Sequence, residues 1–392
     1  MINIVSRSPY DDFTVDLFQQ LLSSIDSEFE AYYLWSNPPW LLDQFFRNTK
    51  FTQPNVVIGI KDSLDQWRPY DFWQDRAQVG VQLLDKIAGL NPDRNFVIFT
   101  SLENIQAEEI TSKNIQFICW GGDITNQANL YPTVCPVLNK NFDSEQTYIS
   151  LNRNCREHRE VALSYLYGRG YDSAGQITFL GIGDSLKQKT GTGQLSEHLS
   201  WDFDSMQADF FVDNREVIRD GYLKVCVDKS NVDQGNIEEN KDVYKAPNDN
   251  FTNFNLNLRP KYQHSFVEIV SESSFVAPGY NVTEKTLNSI YACNFPIILG
   301  GVGIVQLLRD IGVDVFDDVI DHSYDLITNP FNRIINAIEC NKQLLLDADY
   351  AKEQWVKNKH RFESNVDRAR TQLYPWYRNR AIAQFNQLNW IG

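Results

Sequence analysis

Several charged and hydroxyl-bearing residues stand where a strand-like run passes into a helical pattern. Glu272 follows the apolar run from Phe266 to Val270, and Thr283, Glu284 and Lys285 open the helical pattern. The amino end of a helix favours negative charge, because its first N–H groups are unpaired and its dipole is positive there. Lys285 adds a full positive charge, and the two carboxylates can accept hydrogen bonds from sugar hydroxyls. This pattern fits a ligand that is anionic in the middle and rich in hydroxyls, such as a nucleotide-sugar.

A second polar group begins at Asn152, which ends another strand-like run, and continues to Arg159 in the next helical pattern. A guanidinium offers paired N–H donors to phosphate oxygens, so Arg159 is a candidate phosphate ligand. Arg153 and Arg156 are close enough in sequence to share that task. The arginines are also compatible with a solvated helix face, just as Thr283 is compatible with ordinary N-capping.

The amino-terminal part offers three candidate carboxylates. Glu103, Asp123 and Asp62 each lie shortly after a strand-like run. A carboxylate within hydrogen-bonding distance of a reacting hydroxyl can act as a general base. Glu103 is the first choice and Asp123 the second. Each of the three is also compatible with a turn residue that has no catalytic role.

Short β-branched or aromatic runs alternate with helical patterns along most of the chain. This alternation predicts an α/β fold in which parallel sheets are covered by helices. The predicted strands are 2–6, 30–34, 55–60, 96–100, 115–119, 148–152, 176–180, 266–270, 295–299 and 313–316. The later predicted helices are 302–312, 332–346, 351–373 and 377–388.

The length of 392 residues favours two domains or three. We predict two Rossmann-like domains facing across a cleft: an acceptor domain at 1–140 and a nucleotide-sugar-binding domain at 141–350, followed by a helical tail at 351–392. An insertion at about 181–260 has no clear period, and its segment 228–257 is rich in Asn, Asp, Lys and Glu. This arrangement is that of GT-B glycosyltransferases, and many other proteins with two Rossmann-like domains share it.

Composition narrows the classes of partner. The net charge of −15 makes nucleic-acid binding unlikely, because phosphate backbones are repelled. The six cysteines form no CxxC pair and read as reduced thiols, which predicts a cytoplasmic protein. There is no signal-peptide pattern and no run of about 20 apolar residues, so no transmembrane segment is expected.

The scattered histidines argue against a metal centre, and Asp202 with Asp204 is only a weak candidate pair of cation ligands.

Three stretches together resemble the α1,3-fucosyltransferases of glycosyltransferase family 10. They are Glu272-Ser273-Ser274, then Asn281-Val282-Thr283-Glu284-Lys285, then the strand from Pro296 to Gly300. The family motif has an aromatic residue directly before Val-Thr-Glu-Lys. This chain has Asn281 there, with Tyr280 one place earlier. Upstream, Asn152 and Arg159 match the family's Asn and Arg, and the turn containing Glu103 matches the position of its catalytic carboxylate.

The resemblance implies roles for these residues. Lys285 and Arg159 would contact the donor diphosphate, and Glu284 the ribose. Glu272, Thr283, Tyr280 and Asn152 would complete the donor site, and Glu103 would be the base.

The resemblance also implies an inverting, metal-independent transferase that moves a sugar from a nucleotide-diphospho-sugar, with GDP-fucose as the first candidate, to a glycan or lipopolysaccharide-type hydroxyl. It needs no cofactor. The alternatives are a non-catalytic nucleotide- or sugar-binding protein, a glycosyltransferase acting on modified viral DNA, and an unrelated enzyme with two Rossmann-like domains. The sequence does not specify an oligomeric state.

Overall fold

The computed structural model shows an α/β protein with two parallel sheets. The residues it describes are 2–6, 12–25, 28–34, 45, 48–60, 76–100, 110–121, 136–152, 157–179, 214, 216–218, 220, 258–272, 275 and 281–388. Among these residues, no helix is both long enough and apolar enough to cross a membrane.

The first sheet has five parallel strands that neighbour each other in chain order. Its central strands β3 and β4 are mostly apolar and are buried except at Asn95, as expected for a parallel sheet covered on both faces. The strands are β1 (Ile2–Ser6), β2 (Glu30–Leu34), β3 (Asn55–Ile60), β4 (Asn95–Thr100) and β5 (Ile115–Cys119). The helices of this part are α1 (Asp12–Ser23) and α2 (Arg76–Leu90).

The second sheet has four parallel strands in the order β7-β6-β8-β9. They are β6 (Tyr148–Asn152), β7 (Gly175–Phe179), β8 (Val267–Ser271) and β9 (Phe295–Leu299). The helices around them are α3 (Glu157–Arg169), α4 (Arg259–Tyr262) and α5 (Glu284–Ala292). A 3-10 turn spans Tyr171–Ala174.

The strand order of the second sheet reverses between β6 and β8. The chain leaves β6 through α3 to reach β7 on one side, and leaves β8 through α5 to reach β9 on the other. Open α/β sheets bind ligands at the carboxyl ends of the strands where the order reverses. β6 and β8 pair at Tyr148↔Val267 and Ile149↔Glu268, nearer the amino ends of both strands. Their carboxyl ends pair instead with the outer strands β7 and β9.

The remaining helices cover the second sheet and reach the first. They are α6 (Ile304–Ile311), α7 (Pro330–Cys340), α8 (Lys342–Leu346), α9 (Ala348–Lys357), α10 (Lys359–Thr371) and α11 (Leu373–Asn386). Helix α7 packs against α3 and β9, whereas α10 packs against α5. Helix α11 contributes Tyr377 to the core of the second sheet, and Ala381 and Phe385 to a core of the first.

The structure corrects three of the predicted elements. The segment 313–316, predicted as a strand, pairs with neither sheet. Its Asp314 N–H and carbonyl bond the side chain of Asn365, and Phe316 has a left-handed backbone with φ 61°. The helix predicted over 332–346 is divided at Asn341, whose side chain bonds the backbone of Asp321. The helix predicted over 351–373 is divided at Asn358.

Candidate functional site

Glu272 lies directly after β8, and its carboxylate binds the beginning of α5. It accepts hydrogen bonds from the Thr283 N–H at 3.1 Å, the Thr283 hydroxyl at 2.5 Å and the Thr286 hydroxyl at 2.5 Å. The side chain is completely buried. The sequence interpretation made Glu272 a ligand of sugar hydroxyls, whereas the described contacts use both carboxylate oxygens to fasten α5 to β8.

Thr283 is the N-cap of α5, as the Thr-Glu-Lys pattern predicts. Its backbone is extended and its hydroxyl accepts from the Lys285 N–H. Because the same hydroxyl also donates to Glu272, the capping residue is held from two sides. The first turn of α5 therefore has a fixed position at the carboxyl edge of the second sheet.

Glu284 and Lys285 form an ion pair in that first turn. The Lys285 Nζ lies 2.8 Å from a Glu284 carboxylate oxygen and 3.1 Å from the Thr283 hydroxyl. Both side chains are about one-quarter exposed. Burial raises the pKa of the Glu284 carboxyl, but the Lys285 ammonium and hydrogen bonds to the carboxylate outweigh it, so the net pKa is lowered. The Glu284 carboxylate is thus charged at neutral pH, and both side chains are reachable from solvent.

Helix α3 reaches the end of β8 through its first turn. The Arg159 Nη2 donates to the Ser271 carbonyl oxygen at 3.1 Å, and the His158 Nε2 lies 3.0 Å from the Glu272 carbonyl oxygen. His158 also stacks on Phe275, with the ring centroids 4.9 Å apart and the planes at 13°. The guanidinium predicted as a phosphate ligand therefore lies across the point where the strand order reverses.

Asn152 ends β6 at the same edge, with its Nδ2 donating to the Ser150 hydroxyl at 3.0 Å. The structure thus places six of the predicted residues at one edge of the second sheet: Asn152, Arg159, Glu272, Thr283, Glu284 and Lys285. Three others, Glu103, Asp123 and Tyr280, lie outside the described residues, as do Asp62, Arg153, Arg156, Asp202 and Asp204.

Arg333, on α7, belongs to this edge and was missed by the sequence interpretation. It is 2% exposed and donates to the carbonyl oxygens of Gly300, Phe275 and Ile327. Its guanidinium lies 4.4 Å from the ring centroid of Phe275. Burial lowers its pKa to about 10, so it stays charged at neutral pH. The sequence shows only a single basic residue close to the apolar Phe331 and Ile334 of this helix, which does not reveal its distant partners.

A separate pocket of about 580 Å³ lies beside α6 and the 3-10 turn Ser323–Leu326. Its charged groups serve the fold: Arg309 pairs with Asp317 at 2.6 Å, and Asp325 accepts from the Val305 and Gln306 N–H groups. It includes none of the predicted site residues. Within the described ranges, no cluster of histidine, cysteine or acidic side chains is arranged to hold a metal ion.

Comparisons of the chain with protein-family models, with curated proteins and with solved structures find no match. Sequence similarity therefore gives no information about the function of this site. The chemistry of the edge rests on its own residues: three basic side chains, a capped helix amino terminus and a reversal of strand order.

Proposed function

We propose that the chain is an inverting glycosyltransferase of the GT-B type, and that its donor, a nucleotide-diphospho-sugar, binds at the carboxyl edge of the second sheet. The observation that carries the proposal is the pair of anchors at the end of β8. Arg159 binds the Ser271 carbonyl oxygen, and Glu272 holds the N-cap of α5 beside Lys285. GDP-fucose is the first donor to test, because of the resemblance to family 10.

The charges of this edge suit a diphosphate. Arg159, Arg333 and Lys285 carry positive charge toward the ends of β8 and β9, while the Glu272 carboxylate is occupied by three hydrogen-bond donors. The amino end of α5, where the helix dipole is positive, adds positive potential. Glu284 offers a carboxylate to a ribose hydroxyl beside the diphosphate.

The transfer step needs a base and a stabilised leaving group. The acceptor oxygen attacks the anomeric carbon of the donor, and the bond from that carbon to the phosphate oxygen breaks. Glu103 takes the proton of the acceptor hydroxyl as the new bond forms. The nucleoside diphosphate leaves with the bonding electron pair, and Arg159 and Lys285 stabilise its growing charge.

Two measurements test the function. GDP and UDP should raise the melting temperature of the purified protein, and GDP-fucose or a related donor should release nucleoside diphosphate in the presence of glycan acceptors. Glu103→Gln should abolish this release while keeping nucleotide binding. Binding without release by the unaltered protein would favour a non-catalytic binding protein. The absence of both would contradict the proposal.

A further inference from the structure

The side-chain amide of Asn281 is buried and makes no hydrogen bond within the described part of the chain. The residue is 2% exposed, and neither its amide oxygen nor its amide nitrogen has a hydrogen-bond partner among the described residues. The hydroxyl of Ser271, at the end of β8, is likewise buried and unbonded within the described part of the chain. Buried polar groups in folded proteins are nearly always paired, so an unpaired amide needs an explanation.

The position of Asn281 relates this amide to the donor site. It lies two residues before the N-cap Thr283, whose N–H and hydroxyl are both bonded to Glu272. The neighbouring Val282 is buried in the core of the second sheet. The backbone on the carboxyl side of Asn281 is thus anchored, and Asn281 lies two residues before the cap of α5 and three before Glu284 of the ion pair.

We propose that Asn281 is a specificity-determining residue of the donor site. Its amide would pair with a part of the ligand that presents a hydrogen-bond donor next to an acceptor. A diphosphate offers acceptors only, so it can satisfy the amide nitrogen but leaves the amide oxygen unpaired. The matching chemistry is found in the N–H and C=O edge of a nucleobase and in neighbouring hydroxyls of ribose or the transferred sugar. This inference rests on the proposed function.

Both amide atoms are sealed from solvent in this structure. The ligand can therefore reach them only after the side chains that cover them have moved aside. The unpaired amide destabilises this ligand-free arrangement, since a buried polar group without a partner loses its hydrogen bonds to water and gains none. Ligand binding would restore those bonds.

The test uses the full chain and two variants, Asn281→Leu and Asn281→Ala. Leucine replaces the amide with an apolar group of similar size, and alanine removes it without adding apolar volume. We expect both variants to bind GDP-fucose at least about tenfold more weakly, the scale of one hydrogen bond to a buried group. Asn281→Leu should also melt at a higher temperature than the unaltered protein when no ligand is present.

Inorganic pyrophosphate provides the internal control. Its affinity should fall much less than that of GDP-fucose in both variants, because a diphosphate can pair with the amide nitrogen only and leaves the amide oxygen without a donor. Ribose 5-diphosphate, GDP and GDP-fucose then locate the contact: the first ligand in this series that shows the tenfold loss carries the group that Asn281 binds.

Two results would overturn the inference. One is an unchanged affinity of both variants for all three larger ligands. The other is an equal loss of affinity for pyrophosphate, which would mean that the substitutions disturb the site as a whole or that Asn281 contacts only the diphosphate. A third variant, Lys285→Met, distinguishes a failure of the Asn281 inference from a failure of the proposed function. If Lys285→Met loses nucleotide affinity while the Asn281 variants keep it, only the role of Asn281 is wrong.

Discussion

The Arg159 guanidinium donates from Nη2 to the carbonyl oxygen of Ser271 at 3.1 Å. This bond joins the first turn of α3 to the last residue of β8, across the place where the strand order of the second sheet reverses. The adjacent His158 ring lies 3.0 Å from the carbonyl oxygen of the next residue, Glu272. The end of β8 is thus bonded both to the first turn of α3 and to the beginning of α5.

Arg159→Lys should weaken GDP binding by about tenfold, because lysine keeps the charge but loses the planar set of paired N–H donors. Isothermal titration calorimetry gives the affinity. Arg169→Lys is the matched control, since it makes the same change at the exposed end of the same helix, and it should bind GDP normally. Equal affinities of Arg159→Lys and the control would contradict the role of Arg159.

Thr283→Val should lower the free energy of unfolding by about 2 kcal/mol. The substitution removes the N-cap hydroxyl of α5 and leaves a buried Glu272 oxygen without its donor. Urea unfolding followed by circular dichroism measures the change. Thr371→Val is the control, because its exposed hydroxyl bonds only the Asp367 carbonyl oxygen in its own helix, and it should change stability little. A loss as small as that of the control would contradict the described contacts.

Gly121→Ala should destabilise the protein strongly. Gly121 has a φ of +59°, and an added Cβ would come within 2.4 Å of the Tyr377 ring on α11. Either the turn after β5 or the helix would have to shift. Differential scanning calorimetry should show a clear fall in melting temperature. The control is Gly312→Ala, which should lower the melting temperature less. Open space surrounds Gly312, so the substitution there adds only backbone strain. Equal effects of the two substitutions would argue against the contact between Gly121 and α11.

The pH dependence of stability should reveal the buried carboxyl of Glu268. Burial raises its pKa from 4.5 to about 8, against the lowering by the Tyr262 hydroxyl that donates to it and by Lys140. The folded state therefore binds the proton more tightly than the unfolded state. The resulting stabilisation is complete below pH 4.5 and is lost as the pH rises through about 8.

Glu268→Gln removes this titration while keeping an oxygen that accepts from the Tyr262 hydroxyl. The free energy of unfolding of the variant, measured against the unaltered protein, should therefore increase from pH 5 to about pH 8 and level off above it. Parallel urea titrations at each pH give the difference. A difference that is constant across this range would show that the carboxyl does not titrate as described.

Much of the fold was predictable from the sequence, because most strands follow from short-range sequence patterns. Nine predicted strands correspond to β1–β9, because each is a short apolar run bounded by polar residues. The tenth run, 313–316, has the same composition, but its backbone bonds Asn365, about fifty residues later. The divisions of helices at Asn341 and Asn358 were missed for a similar reason, since neither position carries the glycine or proline that marks a helix end.

The candidate site was predictable in part. The Thr283 cap follows from its own sequence neighbours, and the structure confirms it. The burial of Glu272 and the position of Arg333 were not predictable, because both depend on contacts between distant segments. Arg333 donates to the carbonyl oxygens of Phe275 and Gly300. The pattern of apolar residues within its own helix gives no information about partners so far away in the sequence.

The most direct test of the central claim is the affinity of GDP and UDP for the unaltered protein and for Lys285→Met. We predict measurable binding of at least one nucleotide, weakened by about tenfold or more in Lys285→Met, because a charge-assisted contact with the diphosphate is lost. Lys357→Met, which changes an exposed lysine on α9, should bind as the unaltered protein does. Absence of nucleotide binding, or equal binding by Lys285→Met, would contradict the account.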